Sequence, residues 1–225
     1  MTEKLKSEDR RVKAFCRFLK QIKEQQRIIT SHEESITPRD ESQTDRKRMS
    51  AGKPNGLWYS CGAAWLEWCI GEDFGFGSLV HEIELDDSAL KIIRNIKEFD
   101  AFAFEYGLTQ SQWYEKFLGL SNRAAVSSLS KFDDLFKFSG CAAEKFRGCA
   151  AEKFRVMPDY VDWEKISRQY SGIEINPYLW RRRLQGGMWY YGWDCASGCV
   201  WNESAIKEVK LLARYDEKKG KVVFV

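Results

Sequence analysis

Three tryptophans and a tyrosine fall within the eleven residues from Trp58 to Trp68, in the run Gly56-Leu57-Trp58-Tyr59-Ser60-Cys61-Gly62-Ala63-Ala64-Trp65-Leu66-Glu67-Trp68. Rings that are large and amphipathic suit the wall of a pocket for a flat ligand. Trp58 and Tyr59 alternate across a strand, so one of them faces the core. Trp65 and Trp68 are three apart on a helix and share a face, which serves core packing equally well. The acid that stands out is Glu174, in Gly172-Ile173-Glu174-Ile175. That pattern puts the carboxylate on one face of a strand and both isoleucines on the other. An outward glutamate on a half-buried strand is the plainer reading, and Glu82 and Glu84 show the same alternation.

Asp194, Cys195 and Ser197 invite a nucleophile. A cysteine nucleophile needs a neighbour that lowers its pKa, and both histidines, His32 and His81, are far upstream. A tight turn packed by aromatics is the better reading. The cysteine spacings include no C-x-x-C pair, and two histidines are too few to argue for zinc; no metal is expected. Arg181-Arg182-Arg183 follows Trp180 and could meet a phosphate or a stacked base; a solvated loop is the plain alternative.

The elements that must position these residues are legible in outline. Residues 1–26 read as an N-terminal amphipathic helix, with Val12, Phe15, Cys16, Leu19 and Ile22 along one face from residue 9. Residues 27–225 read as one α+β domain. Strands are expected at 27–31, 56–60, 80–85, 90–93 and 173–175, and a terminal hairpin at 209–225. Met188–Trp193 is aromatic and reads as a strand. Helices are expected at 62–70, from Asn95 to Gly107 with an Asn95/Glu98 capping box, at 109–120, at 131–138, and from Trp163 to Tyr170 with Asp162 as cap. Residues 32–52 are polar and read as a long loop. GCAAEKFR occurs twice in succession within 140–155, which reads as a duplication tolerated in a peripheral insertion.

Formal net charge is +3, too small to argue for nucleic acid by itself. No apolar run approaches the ~18 residues of a membrane span, and the charged start lacks a signal core. Reduced thiols and a cytoplasmic protein are expected, with no membrane partner.

The order of these features resembles the ADP-ribosyltransferase superfamily, the fold of poly-ADP-ribose polymerases and many toxins. Arg27 to His32 is similar to that family's first strand. Gly56–Ser60 and the helix with Trp65 and Trp68 are similar to its second strand and helix, and Gly172–Ile175 to its glutamate strand. The resemblance covers roughly residues 25–180. It implies a split antiparallel β-sheet with flanking helices, and cleavage of the nicotinamide–ribose bond of NAD. Glu174 and His32 would then be catalytic, and Arg27, Trp58, Tyr59, Ser60 and Trp65 would bind the dinucleotide. Either His32 or Arg27 would position it, and the loop 33–55 would cover it. His32 is followed by Glu33 and Glu34 where the family's histidine type has glycine and a hydroxyl residue, and only Ser60 matches the arginine type's Ser-Thr-Ser. Both types stay open. The acceptor could be protein, nucleic acid, a small molecule or water. The alternative is a non-enzymatic module that uses the aromatic groove for a nucleotide, peptide or nucleic acid.

Overall fold

A computed structural model describes residues 3–44, 52–109, 112–113, 115–116, 157–185 and 187–225. The tandem repeat, the expected helix at 131–138 and most of that at 109–120 lie outside them.

Ten strands are described. They are β1 (Arg27–Ser31), β2 (Leu57–Cys61), β3 (Leu79–Leu85), β4 (Leu90–Ile93), β5 (Gly107–Leu108), β6 (Tyr160–Val161), β7 (Gly172–Ile175), β8 (Ser197–Val200), β9 (Ile206–Asp216) and β10 (Lys221–Phe224). Eight form one sheet in the order β10-β9-β3-β1-β2-β8-β7-β4, and β5 pairs β6 apart from it. All neighbours are antiparallel except β4 and β7. The centre of the sheet is its weakest seam. β1 pairs β3 at four positions but β2 at only two, Arg27↔Cys61 and Ile28↔Ser60. Beyond Ile28 the two central strands part.

Helices cover one face in two groups. α1 (Glu3–Phe18) and α2 (Ala64–Gly71) bring Phe15, Phe18 and Leu66 onto Ile28, Val80 and Ala213. Phe15 and Phe18 are buried, each worth roughly 1.5–3 kcal/mol of apolar transfer. α3 (Ile96–Tyr106), α4 (Trp163–Ser167) and α6 (Met188–Tyr191) bring Phe99, Phe102, Trp163, Trp189 and Tyr190 onto Ile93, Ile173 and Ile175. The opposite face carries Ile29, Tyr59, Cys61, Ile83, Leu85 and Val200. Ile36, from the extended segment after β1, packs against it.

The terminal hairpin turns through Asp216–Gly220, where Gly220 takes φ +60° and the Lys219 N–H donates to Asp216 at 3.0 Å. Asn95 caps α3 by accepting from the Glu98 N–H at 2.9 Å. Glu98 reaches back one residue further than a capping box requires, to the Arg94 N–H at 2.7 Å.

Three expectations need correction. α1 ends at Phe18 and a 3-10 turn follows, so Ala14 and Phe18 replace the exposed Cys16 in the buried stripe. Met188–Tyr191 is helical, because the adjacent Trp189 and Tyr190 are both buried, which the alternation of a half-buried strand does not allow. The arginine cluster is also helical, in α5 (Trp180–Gln185). The polar segment after β1 is irregular where it is described, in line with the loop expected, and the Gln43 side chain pins it by bonding both the N–H and C=O of Asn55, at 3.1 and 2.7 Å. No helix among the described residues is long and apolar enough to cross a membrane.

Candidate functional site

Glu174 is 6% exposed and lies on the face opposite the helices, in register with Ile92 on β4 and Gly198 on β8. Gly198 is in turn in register with Tyr59 on β2. Glu174 and Tyr59 are therefore two strands apart, roughly 10 Å between backbones. The glycine between them leaves the space that the tyrosine ring crosses. A Cβ at 198 would overlap the ring's phenolic end and lie 2.7 Å from the Ile173 carbonyl oxygen. The Tyr59 hydroxyl donates to Glu174 Oε2 at 3.0 Å.

Arg27 opens β1 on the same face. Its Nε donates to the same Glu174 oxygen at 2.6 Å, and its Nη2 pairs with Asp87 Oδ1 at 2.7 Å. Side-chain exposure is 16% for Arg27 and 8% for Glu174, so solvent screens this pair little. Burial works against the guanidinium charge, but the bonds to Glu174 and Asp87 outweigh it and hold the arginine pKa above its usual value. Burial, reinforced by the Glu174 charge, pushes the Tyr59 hydroxyl well up, so it stays a donor. Burial and the same carboxylate also push up the Cys61 thiol. The result is an anion fixed by two donors, aimed by residues from three strands and a turn.

The sheet's helix-covered face holds a cavity of about 280 Å³ where β1 and β2 part. Ile28, Ser60, Trp193, Cys195 and Ser197 line it and are buried, so they form its floor. Lys53, Trp58, Trp65 and Asp194 line it and are partly exposed, so they form its rim. Trp58 and Trp193 meet edge to face, centroids 4.9 Å apart at 71°, and make a corner. Trp65 stacks on Trp68 at 5.0 Å and 16°, with Phe74 edge-on to it. Lys53 Nζ lies 5.0 Å from the Trp58 ring centroid. Burial lowers the Lys53 pKa; the Asp194 carboxylate pulls it up and Arg183 pushes it down. Asp194 itself pairs with Arg183 at 3.0 Å.

The residues singled out from sequence thus divide. Glu174, Arg27 and Tyr59 converge on one face, and Trp58, Ser60 and Trp65 line the cavity with the Tyr59 main-chain segment. His32 joins neither group. It is exposed beyond the far end of β1 from Arg27, about 16 Å along the strand. Of the two candidates for positioning the dinucleotide, only Arg27 meets Glu174. Cys195 and Cys199 are buried, and burial pushes Cys195 up to about 12 and Cys199 well up, which suits packing rather than attack. Arg182 is tied to Asp100 by two 2.6 Å bonds and Arg183 to Asp194, so Arg181 is the exposed member of the cluster. Sequence reading missed Asp87, Lys53 and Gly198. Gly198 alone carried a signal, a glycine inside a buried strand, which marks a close approach.

No protein family, characterised protein or solved structure matches the chain.

Proposed function

We propose that the protein is an ADP-ribosyltransferase-like enzyme that cleaves the nicotinamide–ribose bond of NAD. The observation that supports this reading is the convergence of Arg27 and Tyr59 on one oxygen of Glu174 at 2.6 and 3.0 Å, from positions 147 and 115 residues away in the chain. The chemistry needs such an anion. The bond breaks with its electron pair leaving on the nicotinamide nitrogen, and positive charge grows on the ribose. A fixed carboxylate near the 2′-hydroxyl stabilises that charge, and its donors spare it reorganisation during the step. Arg27 would exchange its bond to the exposed Asp87 for the pyrophosphate. Trp58, Ser60 and Trp65 line the sheet's other face, so a ribose held at Glu174 would not bring its nicotinamide ring onto them. The split antiparallel fold that the resemblance implies agrees with the short β1–β2 ladder.

Free nicotinamide released from NAD, assayed beside Glu174→Gln, tests the reading. Release by the native chain and its loss in the variant are expected. Equal release by both would remove Glu174 from the role. A second reading is favoured by the same saturated oxygen: Glu174 is a structural ion-pair partner, and the cavity alone binds ligand without turnover. NAD bound without nicotinamide release, with Glu174→Gln losing stability but no affinity, would decide for it.

A further inference from the structure

The cavity's chemistry differs from what a nicotinamide ring on NAD would want. That ring is a cation. An ammonium already lies over the face of Trp58, and a second cation in a 280 Å³ space would repel it. Three charged groups meet at the rim, Lys53, Asp194 and Arg183, and Arg183 already holds the one carboxylate among them at 3.0 Å. The rim therefore carries one positive charge in excess. The floor is apolar except for groups turned to their own chain: the one Ser60 hydroxyl proton is shared between Gly62 O at 3.1 Å and Ile28 O at 3.3 Å, and Ser197 donates to Cys195 O. A volume of about 280 Å³ is at the lower end of small-molecule sites, enough for one ring system and short of a whole dinucleotide.

We infer that this cavity is a binding site for a planar aromatic ring that carries an anionic group, the ring in the Trp58–Trp193 corner and the anion on Lys53 at the rim. The inference goes beyond the NAD reading and does not depend on it. A purine with its phosphate has this shape and charge, and so has an aromatic carboxylate. Lysine acts on the anion as a point charge, so either anion is accommodated. Gly192 leaves room for the lysine stem, since a Cβ there would lie 2.7 Å from Lys53 Cε.

Tryptophan fluorescence of the intact chain, titrated with the four ribonucleoside monophosphates and with benzoate, tests the inference. Adenosine serves as the uncharged control and 1-methylnicotinamide, methylated on the ring nitrogen, as the cationic one. Saturable quenching by a phosphate or carboxylate probe is expected, and which arm binds identifies the anion. Lys53→Gln should weaken that probe about tenfold, the size of one charge-assisted contact, and leave adenosine unchanged. Lys53→Arg should keep the affinity within about threefold, which separates lost charge from lost folding. Glu174→Gln should leave probe binding intact even if it abolishes nicotinamide release, so the two readings fail separately. The inference is overturned by no saturation below about 10 mM with any probe, by equal affinity in Lys53→Gln, or by 1-methylnicotinamide binding as tightly as the anions.

Discussion

Adjacent residues of β2 lead to opposite kinds of environment. Tyr59 points to the face where charged and polar groups are tied to one another: its hydroxyl reaches Glu174, Arg27 reaches both Glu174 and Asp87, and Gly198 is bare because the ring occupies its space. Trp58 and Ser60 line open volume, walled by rings, with a lysine at its rim. The first arrangement fixes a charge and the second leaves room for a ligand. One five-residue strand serves both because side chains alternate across a sheet. Substitutions should therefore act differently on the two faces, through strain on one and through affinity on the other.

The largest effect is expected at Gly198. An alanine there drives its Cβ into the Tyr59 ring and against the Ile173 carbonyl at 2.7 Å, and main chain cannot step aside. Overpacking of that kind should cost at least about 3 kcal/mol, or more than ~6 °C in melting temperature for a chain of this size. A melting curve within about 2 °C of the native chain would mean that the ring has another place to go.

Next come the ion pairs, and their asymmetry is the informative part. Arg27→Met leaves Glu174 buried with Tyr59 as its donor, a loss of about 2–3 kcal/mol. Glu174→Gln leaves Arg27 with Asp87 at 2.7 Å, and should cost nearer about 1 kcal/mol. Urea midpoints of the two variants and of the double variant measure the coupling. Equal single costs would show that Asp87 does not hold the arginine.

Each region also buries a thiol, and alkaline pH compares them. Burial pushes Cys195, at the cavity, from 9.0 up to about 12. It pushes Cys61 up as well, and there the Glu174 charge adds to it. Above pH 9.0 the unfolded chain sheds these protons while the folded chain keeps them, so the unfolded state binds fewer protons and stability falls as pH rises. Below that pH both states are protonated and this contribution to stability is fully present. Urea midpoints between pH 8 and 11 should decline, and Cys61→Ala and Cys195→Ala should each flatten the decline by a similar amount, because both folded thiols keep their protons through that window. A variant that left the decline unchanged would show that its thiol titrates alike in the folded and unfolded chain.

How much of this was legible follows from what each feature depends on. Glu174 stood out because Ile-Glu-Ile is a local pattern, and its strand formed as the alternation requires. Asn95, Asp162 and Gly107 marked helix ends because caps act within four residues. The partners of Glu174 were not local. Arg27 comes from another strand, and Asp87 meets it only because β3 and β4 are joined by a short turn beside β1. The division of Trp58 from Tyr59 was foreseen by period, but which of them met the glutamate depended on sheet order. Met188–Trp193 misled because a ring-rich run suits either element, and burial of the adjacent Trp189 and Tyr190 decided for the helix.

The smallest expected effect on stability sharpens the comparison most. Gly192, like Gly198, has a neighbour where a Cβ would go, but that neighbour is Lys53 Cε at 2.7 Å, near the end of a flexible chain. Gly192 has φ −78°, which any residue adopts. Gly192→Ala should therefore change stability by less than about 0.5 kcal/mol. It should nevertheless move the ammonium off the Trp58 face and weaken binding of an anionic ring by about threefold or more. A melting temperature that fell as far as in Gly198→Ala would show that the cavity wall is packed as rigidly as the opposite face. Unchanged stability with weakened binding would show that Lys53 is positioned for a ligand rather than for the fold.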